Sequence, residues 1–330
     1  MIGKVSVKTT YAGLNISNPL VVSSSWLTNS VDNVLRLEKA GIGAIVLKSL
    51  FEEQIRSESE ELIRVSSYSV ADEYITAYTR VGLIAEYTAL IRGCKAACTI
   101  PIIASINCHT VGEWGSYARS LQVAGADALE LNIFFLNSNK NYEYGAYEQQ
   151  HVEIVKSVRR HTTLPLIVKI GSQITNPVCL IDQLRAAGAS AVVLFNRFYN
   201  PDIDIDRLNY SSGEVYSSPT DFYQTLRWTG LVSANVPKID IAASSAIFDA
   251  ETVIKCLLAG ANVAYLCSTI YKNGIEVIAQ INAELEMWMY SKDFKSIAEF
   301  RGLLNAANMV HTPNFDRHQF MKYASTNLGE

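Results

Sequence analysis

Four times in this chain a run of helical character closes on Ala-Gly and an apolar run follows at once: Lys39-Ala-Gly41, Val123-Ala-Gly125, Ala186-Ala-Gly188 and Leu258-Ala-Gly260. Glycine just past a helix takes the left-handed conformation that side chains resist, so each site marks a helix end feeding a strand. Around these markers the apolar runs predict eight core strands: Leu20–Ser24, Ala44–Lys48, Ile102–Asn107, Ala128–Asn132, Leu166–Lys169, Ala191–Phe195, Asp240–Ala243 and Val263–Leu266. Helical patterns separate them at Val31–Ala40, Glu113–Ala124, Tyr147–Arg160, Pro177–Ala187, Pro219–Ala234 and Ala250–Ala259. Strands without polar interruption are buried on both faces, hence parallel and covered by helices. Strand and helix alternating in this way close most simply as a (β/α)8 TIM barrel of the α/β class. An open doubly wound sheet is the alternative. It calls for a Gly-rich turn after the first strand, where this chain has Ser23-Ser24-Ser25-Trp26.

At 330 residues the chain suits one such barrel with insertions. We expect a single domain over 1–330, with long loops at about 51–82 and 196–219 and a C-terminal tail at about 291–330. A helix over Ser296–Asn305 is expected in that tail. A net charge of −4 suggests no nucleic-acid partner. Residues 1–13 carry no apolar run of a secretion signal, and no stretch approaches the ~20 apolar residues of a membrane span. The six cysteines are scattered without a C-x-x-C pair, which argues against zinc or iron–sulfur ligation and for a reduced, cytoplasmic compartment. Cys94 and Cys98 stand one helical turn apart, as two small residues on a helix face do.

In a barrel of this kind the C-terminal strand ends face the reaction site. Here they carry Ser24, Ser25, Lys48, Asn107, Asn132, Lys169, Asn196, Ser245 and Ser268. A lone lysine at a strand end snorkels to solvent, but two lysines with three amides suggest convergence. Amides donate and accept, which suits a planar amide-like ring. An ammonium beside such a ring stabilises an anion or an electron-rich reduced cofactor. The ends of strands seven and eight, Ala243-Ser-Ser-Ala246 and Cys267-Ser-Thr269, are small and hydroxyl-rich. They read equally as helix caps or as a phosphate cradle.

Together these residues resemble the dihydroorotate dehydrogenase family over roughly Val7 to Gly274. Asn18-Pro19-Leu20 with Ser23–Ser25 resembles its opening, and Gly43-Ala-Ile-Val-Leu-Lys48-Ser49 its second strand. Glu130-Leu-Asn132-Ile with Asn137 resembles its fourth-strand motif, and Pro165-Leu-Ile-Val-Lys169 its fifth strand. Asn196 resembles its sixth-strand asparagine, and Ala259-Gly260-Ala261 through Ser268-Thr269 to Gly274 its last helix, strand and phosphate turn.

The resemblance implies flavin mononucleotide (FMN) held by Ser24, Ser25, Lys48, Ser49, Asn107, Asn132, Lys169, Asn196, Ser245, Ala246, Ser268 and Thr269. It implies a pyrimidine-like substrate met by Lys48, Thr79, Asn132, Asn137 and Asn196, a place in pyrimidine biosynthesis, and a homodimer. Arg197 beside Asn196 suits either a substrate carboxylate or a surface ion pair. Four positions depart from the family. Phe135 stands where Cys or Ser serves as base, Ser245-Ala246 replaces Gly-Gly, and Thr79 replaces an asparagine. With Phe135 unable to take a proton, Cys108 and His109 after strand three become the candidate bases alongside catalytic Lys48, and each also reads as an ordinary loop residue. Tyr142, Tyr144 and Tyr147 lie just beyond the altered motif. Two other functions stay open: a lyase or aldolase working through a buried lysine such as Lys169, and a catalytically silent flavin-binding protein.

Overall fold

The computed structural model describes residues 5–51, 54, 72–107, 114–136 and 138–308. Eight parallel strands form the barrel: β1 (Leu20–Val22), β2 (Ala44–Val46), β3 (Ile102–Asn107), β4 (Ala128–Ile133), β5 (Leu166–Gly171), β6 (Ala191–Asn196), β7 (Asp240–Ser244) and β8 (Val263–Leu266). Each pairs with the next, and β8 pairs with β1 through Ala264↔Leu20, Tyr265↔Val21 and Leu266↔Val22, so the sheet has no free edge. Closure removes the edge hydrogen-bonding groups that an open sheet must otherwise protect.

Around the barrel run α1 (Val31–Lys39), α2 (Asp72–Ala97), α3 (Trp114–Val123), α4 (Ala146–Arg159), α5 (Pro177–Ala186), α6 (Phe222–Asn235) and α7 (Ala250–Ala259). The short α8 (Ser268–Asn273) and then α9 (Val277–Ser291) follow β8. Local chemistry sets these boundaries. Ser30 caps α1, and Asn176 caps α5 with Pro177 at its first turn. Asp249 and Thr252 form a reciprocal capping box on α7. At the other ends Gly41, Gly125, Gly188 and Gly260 all have positive φ, between 93° and 116°. The Ala-Gly marker therefore does what its spacing predicts.

Alternation along the strands divides the core in two. Val21, Ala44, Val46, Ile103, Ala128, Ile167, Ala191, Val193, Ala242 and Val263 pack inside the barrel, and the opposite set packs under the helices. The lower mouth is plugged by an antiparallel hairpin, Thr9–Tyr11 with Leu14–Ile16. Its two-residue turn, Ala12-Gly13, has positive φ at both positions, as such hairpins require. Ala12 N–H donates to Asp240 Oδ2 (2.8 Å), and Asn262 Nδ2 donates to Thr10 O (3.0 Å) and Asp240 Oδ1 (2.8 Å).

Three expectations are corrected. The segment expected as a loop from 51 to 82 is helical from Asp72 onward, where Asp72–Ala97 forms one continuous α2. Its apolar residues do not gather on one face, so no 3.6-residue stripe announces it. The helix expected over Ser296–Asn305 is a single 3-10 turn, Ile297–Glu299, followed by turns. Strands β1 and β2 stop at Val22 and Val46, so Ser24 and Lys48 stand beyond the ladder. The 196–219 connection contains an exposed hairpin, Pro201–Asp204 with Asn209–Ser212.

Candidate active site

The upper mouth is assembled from strand register. Asn107 sits opposite Asn132 on β3 and β4, and Asn132 opposite Lys169 on β4 and β5. All three are buried, and all belong to the interior-facing set. Between Ile170 and Gly171 the β5–β6 register slips, so Gly171 pairs with Asn196 where an unbroken ladder would pair it with Phe195. Phe195 packs with the outer core and Asn196 turns inward, where its Nδ2 donates to Asn132 Oδ1 (2.8 Å). A lysine and a linked pair of carboxamides thus share one rim.

Lys169 Nζ donates to Ser23 Oγ (3.2 Å), and Lys169 lines a cavity with Ser24, Asn196, Ser244, Ser245, Ala246, Cys267 and Ser268. The same cavity therefore runs from the lysine to the turns that follow β7 and β8. Ser245 and Ala246 have φ of 83° and 57°. They hold the left-handed conformation that favours glycine, at a cost of roughly 1–2 kcal/mol per residue. Ser245 Oγ donates to Phe195 O (3.1 Å), and Ala246 N–H donates to Ser217 Oγ (3.2 Å). Ser217 N–H in turn donates to Ser268 Oγ (3.1 Å). The hydroxyls of Ser217, Ser245 and Ser268 are thus already engaged within the protein.

Other expected residues serve the frame. Ser25 Oγ accepts from Leu27 N–H (3.3 Å) and caps the 3-10 turn Trp26–Thr28. Thr269 is buried, with Oγ1 donating to Phe248 O (2.9 Å), and it is not among the cavity-lining residues. Ser49 is a buried strut whose N–H donates to Ser24 Oγ (2.8 Å). Arg197 borders the cavity, but its fork is committed to Asp221 (3.1 Å) and to Glu214 O (3.0 Å) and Val215 O (3.1 Å). The ion-pair reading of Arg197 is the one its surroundings favour. Lys48 is half-buried, with Nζ 5.2 Å from the Trp26 ring centroid and 4.7 Å from that of Phe51. Burial lowers its pKa, and the ring faces hold the cation. Cys108, His109 and Asn137 lie outside the described residues, and Thr79 falls within α2 with its side chain outside them.

Phe135 turns away from the mouth. Its ring packs on Tyr147 (centroids 4.6 Å) and His151 (5.4 Å) of α4. The residue before it stays at the mouth, where Phe134 stacks on Phe198 (3.7 Å). Sequence reasoning passed over this aromatic pair and Ser217. Among the described residues no group of acidic, His and Cys side chains forms a metal site.

Below Lys169 lies the acidic residue of the Glu130-Leu-Asn132-Ile motif. Glu130 is 0% exposed and two positions before Asn132 on β4, so it shares the interior face. Its Oε1 accepts from Ser105 Oγ (3.3 Å), and its Oε2 has no partner. Burial raises its pKa, opposed by Lys169, Tyr265 and Ser105. An acid at an interior register of an otherwise apolar strand was the signal available.

The closed parallel barrel, with a buried lysine and paired carboxamides at its C-terminal rim, taken together with the dehydrogenases it is similar to, is that of a (β/α)8-barrel oxidoreductase. The dihydroorotate dehydrogenase family model matches residues 6–289, and the chain belongs to that family. It is similar to the dihydroorotate dehydrogenase B (NAD(+)) catalytic subunit of Desulforudis audaxviator, at 27% identity over 91% of this chain and 97% of that protein. The corresponding subunit of Thermococcus kodakarensis is 27% identical over 92% and 98%. The NAD-dependent dihydropyrimidine dehydrogenase subunit PreA of Escherichia coli is 23% identical over 97% of this chain and 81% of that protein.

Proposed function

We propose that this chain is an FMN-dependent oxidoreductase that oxidises a CH–CH bond in dihydroorotate or a related dihydropyrimidine-like ring. The observation that carries the reading is the single cavity joining Lys169 and Asn196 to the left-handed Ser245-Ala246 turn. The residues present fit the cofactor: the left-handed Ser245-Ala246 turn lining the cavity suits a phosphate, which would take the place of Ser217 at the Ala246 N–H, while Asn107, Asn132, Asn196 and Lys169 suit a polar ring. When bound, the flavin supplies the hydride acceptor. Lys169 then sets a positive charge beside the ring that gains electrons, and the Asn196–Asn132 pair fixes its orientation. Lys48, held between Trp26 and Phe51, offers a second cation to an anionic substrate. Ser24 and Ser268 complete the cofactor's surroundings, with Ser25, Ser49 and Thr269 holding the backbone behind them.

Phe135 supplies no base, so proton removal falls to another residue, with Cys108 and His109 our candidates. We further propose a cytoplasmic homodimer. Among the described residues no helix is long and apolar enough to cross a membrane. The test begins with the visible spectrum of the purified protein, with and without added FMN. A yellow protein bleached by dithionite is expected, and a colourless protein that takes up no FMN overturns the reading. Anaerobic bleaching by dihydroorotate and by dihydropyrimidines then separates the substrates.

A further inference from the structure

The barrel interior holds a continuous polar path that the proposed reaction does not use. Ser24 Oγ and Ser49 Oγ are 2.9 Å apart, and Ser49 Oγ and Ser105 Oγ 2.8 Å. Ser105 Oγ reaches Glu130 Oε1 (3.3 Å). The path starts at the cavity wall, where Ser24 stands, and ends on a carboxyl with no exposure and one empty oxygen. Hydroxyls both donate and accept, so such a series can pass a proton by reorienting. The groups facing Glu130 come from several elements. They are Ser105 on β3, Lys169 on β5, Tyr265 on β8, Tyr87 on α2 and Tyr11 on the hairpin. All three tyrosines are pushed upward, chiefly by burial, so none competes for a proton near neutrality.

We propose that Glu130 is a positioning residue that sets the charge Lys169 presents to the mouth, by holding a proton inside the barrel and exchanging it through Ser105, Ser49 and Ser24. As a carboxylic acid, Glu130 leaves the Lys169 ammonium uncompensated, and its field is directed at whatever electron-rich ring fills the cavity. As a carboxylate it neutralises that field from below. In either form no bond but an O–H is made or broken: the proton leaves Glu130 for Ser105, Ser105 gives its own to Ser49, Ser49 gives its own to Ser24, and Ser24 releases its own to solvent at the cavity wall. The effect on the cofactor rests on the flavin reading above, whereas the proton held by Glu130 does not.

Two measurements separate these parts. In flavin-free protein, thermal unfolding of wild type and Glu130→Gln is followed from about pH 5 to about pH 9, since buried glutamates are known to titrate that high. The folded carboxyl keeps its proton to higher pH than the unfolded chain does. Its contribution is therefore complete below the ordinary glutamate range and is lost as pH rises through the folded value. The wild type should fall behind Glu130→Gln progressively with rising pH, and parallel curves overturn the proposal. Should the variant not fold, infrared spectra of wild type labelled at glutamate decide the matter. A protonated carboxyl band that vanishes at high pH supports the proposal, and its absence at neutral pH overturns it. In FMN-loaded protein, the preference for reduced over oxidised FMN should weaken ~10-fold across that transition in wild type and stay flat in Glu130→Gln. A flat wild-type profile, or a parallel fall in the variant, removes the link to Lys169. Failure to bind FMN at all defeats the functional reading while the unfolding comparison still decides Glu130.

Discussion

Phe135 stands where the family resemblance expects a base, and its ring points away from the mouth. Strand alternation continues past β4, so Asn132 and Phe134 face the mouth while Ile133 and Phe135 face the helices. The identity of residue 135 is thus coupled to its direction: the phenyl ring is part of a cluster with Tyr147 and His151, both largely buried. Burial lowers the pKa of His151, so that histidine stays neutral behind the ring and out of reach of a substrate. Restoring serine here should not restore a base. We expect Phe135→Ser to change the rate of flavin bleaching by dihydroorotate less than ~10-fold, against the ~10²–10⁴-fold that a positioned base contributes. A rise of ~10²-fold or more in stopped-flow reduction refutes this. The same variant should lose about 2 kcal/mol of stability in urea, somewhat less than the ~3–5 kcal/mol of a fully buried Phe→Ala change. The sequence made the identity of residue 135 plain but not its direction, which depends on how the chain leaves β4.

At the scale of elements, the strands were readable and their ends less so. Apolar runs locate all eight barrel strands because each is buried on both faces, and four Ala-Gly markers locate the turns between them. Helix α2 escaped notice because its apolar residues form no stripe, and Asn196 reaches the rim only through a register slip that no local pattern encodes. The hairpin under the barrel was equally silent, since its attachment is long-range. Asn262 accepts from Ile241 N–H (3.0 Å) and donates to Thr10 O (3.0 Å) and Asp240 Oδ1 (2.8 Å), bringing β7, β8 and the hairpin to one side chain. Replacing it with Leu strands three partners, of which the Ile241 N–H is buried and the other two are partly solvated, and a buried unsatisfied group costs ~1–3 kcal/mol before relaxation. We expect Asn262→Leu to lose ~3 kcal/mol. Backbone amides of residues 9–16 should exchange faster while those of β3–β5 keep their relative protection. Unchanged exchange in the hairpin contradicts this attachment.

Across the whole molecule the barrel is polarised from end to end. The lower mouth is sealed by Tyr11, whose hydroxyl meets that of Tyr265 at 3.2 Å, and by apolar side chains above it. The upper mouth collects Lys169, the carboxamides and the serine-rich turns, and Glu130 lies between these two regions. The hairpin plug and the candidate site therefore occupy opposite ends, as the architecture allows because strand ladders rather than loops carry the core. Ligand binding should register this division. A ligand that binds only the folded chain stabilises it by RT ln(1 + [L]/Kd), about 2.7 kcal/mol at ~100 Kd. In a chain of this size that amounts to a rise of several degrees, roughly 3–8 °C, in Tm. We expect added FMN to produce such a rise, with new protection from hydrogen exchange in 195–198, 214–218, 244–247 and 267–269, the segments around the cavity. The hairpin at 9–16, on the far side of the apolar layer, should gain only the protection that global stabilisation gives every core amide. Protection concentrated at the hairpin instead, or no shift in Tm at saturating FMN, contradicts the assignment of the upper mouth as the binding end.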